Sequence, residues 1–129
     1  MKKVLIIFLS LFLMFSTPAF ASNQSNYEKA LLSLMWEEIY RAVDEYYLNN
    51  EGLTGVQTWN KKVLDLKMTD GLSFEITIQL DAFVGAHNTI GTDTLKFTRE
   101  IDGLKLVNYN HTPSKHKEEI LEWYLREQS

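Results

Sequence analysis

Between Leu72 and Leu80 the chain alternates without a break: Leu72, Phe74, Ile76, Ile78 and Leu80 are apolar, and Ser73, Glu75, Thr77 and Gln79 are polar. Successive side chains of a β-strand point to opposite faces, so this stretch predicts a strand with one dry and one wet face. Such a strand cannot stand alone. Its dry face needs a covering layer, and the rest of the chain has to supply it.

The flanking segments predict its neighbours. Leu64, Leu66 and Met68 alternate with Asp65, Lys67 and Thr69 as a first strand. Asp70-Gly71 then predicts a type I′ turn, whose two central residues both need positive φ. Thr94 to Ile101 reads as a third strand, with Leu95, Phe97 and Ile101 on one face. Asp102-Gly103 predicts a second turn of the same type, and Leu104 to Tyr109 a fourth strand. Phe83 has the parity of the polar residues, so a β-bulge at Asp81 to Phe83 is expected to restore it to the dry side. Glu51 to Asn60 and Val84 to Asp93 read as connections, marked by Gly52, Gly55, Gly85 and Gly91.

The covering layer precedes the strands. Leu31, Met35, Ile39, Ala42, Val43 and Tyr46 recur at three- and four-residue steps, and Leu32, Trp36, Tyr40 and Tyr47 widen the stripe. This predicts one helix from Tyr27 to about Asn50, capped by Ser25 or Asn26 and stopped at Asn49, Asn50 and Gly52. Thr112-Pro113 reads as the start of a short last helix, with Ile120, Leu121, Tyr124 and Leu125 on its apolar side. The fold class expected is α+β: a long N-terminal helix packed on a four-stranded antiparallel meander sheet, plus a short C-terminal helix. The outline is similar to cystatin-like and nuclear-transport-factor-like rolls, a likeness of architecture that carries no function.

The first 21 residues belong to none of this. Lys2 and Lys3 are followed by an apolar run from Val4 to Phe15, broken only by Ser10, and then by Ala19-Phe20-Ala21. That pattern predicts a secretory signal peptide cleaved between Ala21 and Ser22. A membrane anchor needs about 20 apolar residues, and this run is shorter. The expected organisation is residues 1–21 as signal peptide and 22–129 as a single domain. Removing 21 residues from 129 leaves 108, and losing Lys2 and Lys3 leaves 11 basic against 17 acidic residues, a formal charge of −6. Such a charge argues against a protein that binds nucleic acid by neutralising phosphates. With no cysteine, disulfides, thiolate metal sites and a lipid-modified N-terminal cysteine are excluded. The mature product is expected to be soluble, off the membrane, in the envelope or outside the cell.

Three histidines carry what chemistry there is. In a meander the loop holding His87 and the end of the fourth strand at His111 lie at the same end of the sheet, and His116 follows closely. Together with Asn88, Asp93 and Asn110 they are expected to cluster. One reading is a small His/Asp site for a divalent metal or an anionic ligand. The commoner arrangement is a polar loop end whose imidazoles cap backbone groups. Zinc-type spacing is missing, so His87, His111 and His116 are weak metal candidates and no cofactor is expected. Arg99 shares the parity of Leu95 and Phe97; it either binds a carboxylate or phosphate in a cavity between sheet and helix, or snorkels at a strand end. The helix aromatics read as core or cavity lining, and Trp59, in a connection, as a candidate exposed patch. Asp44 and Glu45 read as part of a solvated helix face, and no serine lies in a nucleophile-elbow context.

Phe83-Val84-Gly85-Ala86-His87-Asn88, followed by Gly91 and by Thr94-Leu95-Lys96-Phe97, resembles a family of small exported proteins of unknown function from bacilli and related spore-forming bacteria. Its pattern reads Thr-Phe-x-Gly-Pro-His-Asn, then a glycine, then a strand. The likeness extends to Glu45-Tyr46-Tyr47, the Leu72 to Leu80 strand and Tyr109-x-His111, and spans Tyr27 to His111. The chain departs from it with Ala82, with Ala86 for proline, and with Thr89-Ile90 where prolines are usual, which loosens the loop and leaves His87 and Asn88 in place. The resemblance implies an exported protein and assigns no catalytic residue.

These observations predict an exported binding or interaction module without catalysis, recognising a peptide, a wall component or a small ligand through His87, Asn88, Asp93, His111 and Arg99. The alternative is a metal- or ligand-dependent enzyme built on His87, His111 and Asp93. A third possibility is an inhibitor or immunity-like partner of another exported protein.

Overall fold

The computed structural model describes residues 24–129; the expected signal peptide lies outside them. Helix α1 (Asn26–Leu34) and helix α2 (Trp36–Glu51) precede strands β1 (Gln57–Asp70), β2 (Ser73–Val84), β3 (Asn88–Glu100) and β4 (Gly103–Pro113), and helix α3 (Lys117–Gln128) closes the order. The four strands form one antiparallel sheet in the order β1-β2-β3-β4. The α+β class and the meander are as expected. No helix of the described residues is long and apolar enough to cross a membrane.

The single N-terminal helix is corrected to two. They meet at Met35, which is buried with φ −93 and ψ 7. A straight helix of that combined length would run about 39 Å, whereas four strands are only about 14 Å wide. The bend lets α1 pack on β1 and α2 on β4. No glycine or proline marks it, so the periodicity passes straight through. Ser25 caps the start, its hydroxyl accepting from the Glu28 N–H at 3.1 Å, and Gly52 ends α2 at φ 65.

The core is a sandwich of helix and sheet. Ile39, Val43 and Tyr47 of α2 meet Ile76, Ile78, Leu80, Leu95 and Phe97, all almost fully buried. Each such aliphatic side chain contributes about 1.5–3 kcal/mol on burial.

Several boundaries move. The connection expected to end at Asn60 stops at Val56, so Trp59 lies in a strand, and the loop after β2 shrinks to three residues. The last helix starts at Lys117 because β4 runs on to Pro113. Both hairpin turns sit one residue off. Asp70 pairs with Ser73, leaving Gly71 (φ 50) and Leu72 at the first apex, where only Gly71 has positive φ. Glu100 pairs with Gly103, leaving Ile101 and Asp102 at the second, with the positive φ on Gly103 itself. Leu72 and Ile101, expected on the dry face, therefore project from the tips at 92% and 103% exposure.

The bulge also moves. Ala82 pairs with Gly91 and Phe83 with Thr89, so the extra residue is Ile90 in β3. β2 keeps its parity. Phe83 stays on the wet side and is nevertheless buried at 5% exposure, which requires a local cover on a face that is otherwise solvated.

Candidate functional site

The alternation of β3 and β4 puts charge on the dry face. Asp93 pairs with Leu80 on one side and His111 on the other, and Leu95 pairs with Tyr109. A carboxylate among leucines must be compensated. The Asp93 carboxylate is fully buried. Its Oδ2 accepts from the Tyr47 hydroxyl at 2.8 Å and the Tyr109 hydroxyl at 2.6 Å, and its Oδ1 from His111 Nδ1 at 2.6 Å. Donation from Nδ1 leaves Nε2 as an acceptor, and Lys117 Nζ lies 3.1 Å from it. The same ammonium pairs with Glu51 at the end of α2. No buried side-chain nitrogen or oxygen among the described residues is left without a partner.

The network keeps its tyrosines neutral. Burial first, and then the Asp93 charge and hydrogen bond, push the hydroxyls of Tyr47 and Tyr109 far above the usual tyrosine range. Tyr46 stacks on Tyr109 at 4.1 Å, with its own hydroxyl raised by burial and by Asp93. Gly91 makes room for the imidazole: a Cβ there would overlap the His111 ring and come within 2.8 Å of the Thr112 carbonyl oxygen.

The second cluster lies on the opposite face and supplies the missing cover for Phe83. The turn Gly85-Ala86-His87 is tight, with the His87 N–H donating to the Gly85 carbonyl at 3.0 Å. Gly85 has φ 57 and His87 φ 63. The His87 ring lies 5.1 Å from the Trp59 indole, tilted by only 24°, and 4.7 Å from Phe83. Phe83 is buried within this triad, whereas Trp59 remains 39% exposed and His87 exposed. Asp81, cross-strand from Trp59 and Thr92, accepts from Asn60 Nδ2 at 2.9 Å and from the Thr92 hydroxyl at 2.8 Å.

The expected single cluster is thus split in two. His111 and Asp93 come together. His87 packs on the other face because the tight turn, with positive φ at Gly85 and His87, lays its ring against Trp59 and Phe83, and Asn88 opens β3 opposite Val84. His116 is an exposed residue at the start of α3, 3.5 Å from Glu119. Arg99 is exposed beside the Leu72 and Ile101 tips, the strand-end alternative. Among the described residues no three His, Cys, Asp or Glu side chains are placed to hold a metal ion.

Sequence reasoning missed Tyr47, Tyr109, Lys117 and Glu51 as partners. Asp93 shares the parity of Leu95 and Phe97, and that misplaced charge was the signal to look for donors.

The family model for proteins of unknown function, DUF3888, matches residues 27–113. That span holds the aromatic triad and the Tyr47-Asp93-Tyr109-His111 cluster, but not α3 with Lys117. No curated protein matches the chain, and neither does any solved structure.

Proposed function

Since the chain belongs to the DUF3888 family, whose function is unknown, we propose from its own residues that it is an exported, non-catalytic binding module that engages its ligand on the Trp59–His87 rim. The signal-peptide pattern of residues 1–21 supports export. The likeness of Phe83 to Asn88 to small exported proteins of bacilli supports the same compartment. Within this reading the roll outline of cystatin-like and nuclear-transport-factor-like folds supplies a rigid sheet and no activity.

One observation carries the choice of surface. His87 is a non-glycine residue at φ 63 whose ring lies exposed against an exposed indole. The left-handed conformation costs about 1–2 kcal/mol. Strain retained in an exposed loop is characteristic of ligand-contacting residues. The Asp93 carboxylate, by contrast, is fully buried, and each of its oxygens already has a partner within the network.

The test is co-sedimentation of the purified protein with insoluble cell-wall material. Trp59→Ala and His87→Ala are each expected to weaken it about tenfold, the scale of a binding hot spot. Unchanged sedimentation in both variants would remove the rim from the account.

The rival reading, an enzyme working through His111 and Asp93, has the 2.6 Å hydrogen bond between them in its favour. Its remaining nitrogen, Nε2, already faces Lys117. Hydrolysis of an ester, peptide or glycan substrate that disappears in His111→Gln would establish the rival.

A further inference from the structure

A groove of 740 Å³ opens between α1 and β1, with Lys29, Leu32, Trp36, Asn60, Lys61 and Lys62 among its walls. It is an open surface groove and not an enclosed pocket. Among the described residues none of its three lysines has a carboxylate partner, and no acidic residue lines it. Three ammonium groups thus share one groove, in a chain with 17 acidic residues against 13 basic ones. Lys61 is half-buried, its ammonium donating to the Thr58 carbonyl at 3.3 Å and to no other side chain or carbonyl among the described residues. Burial lowers its pKa, a cost that an incoming anion would relieve. Trp36 keeps 56% of its surface exposed and stacks on Tyr40 at 5.5 Å.

Asn60 joins this groove to the rim. It lines the groove, follows Trp59, adopts φ 50 at a β1 bulge, and donates its side-chain amide to Asp81. β1 is an edge strand, so a ligand wrapping that edge at Asn60 meets the aromatic surface on the outer face and the three ammonium groups on the helix side.

The geometry points to an acidic glycan as the ligand, with sugar rings against Trp59 and His87 and carboxylate or phosphate substituents in the Lys29-Lys61-Lys62 groove. This rests on the rim reading above and names its ligand class. The apolar face of a sugar ring packs on an indole. Asp81 spends two acceptor sites on Asn60 and Thr92, and a carboxylate has about four, so the rest accept sugar hydroxyls. Its charge repels the acidic substituents and orients them towards the lysines.

Calorimetric titration of the purified protein with three probes tests the proposal: tetragalacturonate (carboxylates on sugar rings), a glycerol-phosphate oligomer (phosphates on a polyol without rings) and cellotetraose (rings without charge). Tetragalacturonate is expected to bind at least about tenfold tighter than cellotetraose at about 50 mM salt, an advantage that shrinks as salt screens the lysines. Lys61→Ala/Lys62→Ala should abolish that advantage. Trp59→Ala should weaken tetragalacturonate about tenfold and Trp59→Phe much less, with unfolding midpoints showing that both variants are folded. Equal binding of cellotetraose and tetragalacturonate would overturn the acidic half of the proposal. Glycerol-phosphate binding as tight as tetragalacturonate and indifferent to Trp59→Ala would overturn the sugar half. If no probe binds while wall co-sedimentation still depends on Trp59, the ligand class is wrong and the rim reading stands. If wall co-sedimentation is also absent, both fall.

Discussion

His111 and His87 stand on opposite faces of one sheet and are held by opposite means. His111 is wedged against Gly91, hydrogen-bonded to Asp93 and approached by Lys117, with no buried side-chain polar atom among the described residues left without a partner. His87 has no side-chain hydrogen bond among the described residues, a left-handed backbone, and an aromatic neighbour that water also reaches. The first is a strut. It ties α2, β3, β4 and α3 together through Tyr47, Asp93, Tyr109, His111, Lys117 and Glu51. The second is a surface kept in place at a cost. The difference teaches that polar residues converging on one end of a sheet need not converge on one site.

Substitutions can break or sharpen that contrast. The largest effect is expected for Asp93→Ala, which strands two tyrosine hydroxyls, an imidazole N–H and, indirectly, Lys117. It should cost about 3–5 kcal/mol in urea unfolding, the range for breaking a buried charged pair. A loss below about 1 kcal/mol would mean that the network is wet and the strut description wrong. Gly91→Ala comes next, at about 1–3 kcal/mol, since the added methyl would overlap the imidazole.

Alkaline pH attacks the same strut from its tyrosines. Tyr47 and Tyr109 have folded pKa values raised above the unfolded value near 10. Their stabilising contribution is complete below about pH 10 and is lost as pH rises towards the folded values. Each should remove about 1.4 kcal/mol per pH unit above that point. Tyr47→Phe should flatten the slope by one tyrosine's share, measured as unfolding midpoint against pH.

The smallest stability effect is expected on the other face. His87→Gly relieves the left-handed strain and loses an aromatic contact worth about 0.5–1.5 kcal/mol. The two nearly cancel, leaving a change within about 1 kcal/mol, while binding at the rim weakens about tenfold. A destabilisation as large as that of Asp93→Ala would make His87 a second strut.

The sheet was the legible part of the sequence. Alternation from Leu64 to Leu80 and from Leu95 to Tyr109 identified four strands in the right order, because the period-2 signal is local. The turns slipped by one residue because a glycine announces positive φ without saying which corner of the turn it occupies. The break at Met35 left no trace, since its cause is the width of the sheet beneath. Asp93 and His111 were both nominated, and their pairing follows from register, which is set by pairing and bulges and not by either residue alone. Tyr47 and Lys117 were hidden for a different reason: a tyrosine in an aromatic stripe and a lysine beside a polar loop look the same whether or not they reach a buried carboxylate. Phe83, an apolar residue out of phase in β2, is the visible mark of the rim. Parity alone points to a bulge, because the cover provided by Trp59 and His87 is tertiary.

The decisive measurement is the mapping of amide and indole shifts by NMR during a tetragalacturonate titration. Changes are expected at Trp59, Asn60, Lys61 and His87, with Asp93, Tyr109 and His111 unmoved. Shifts centred on Asp93 and His111, with the Trp59 indole silent, would contradict the rim reading.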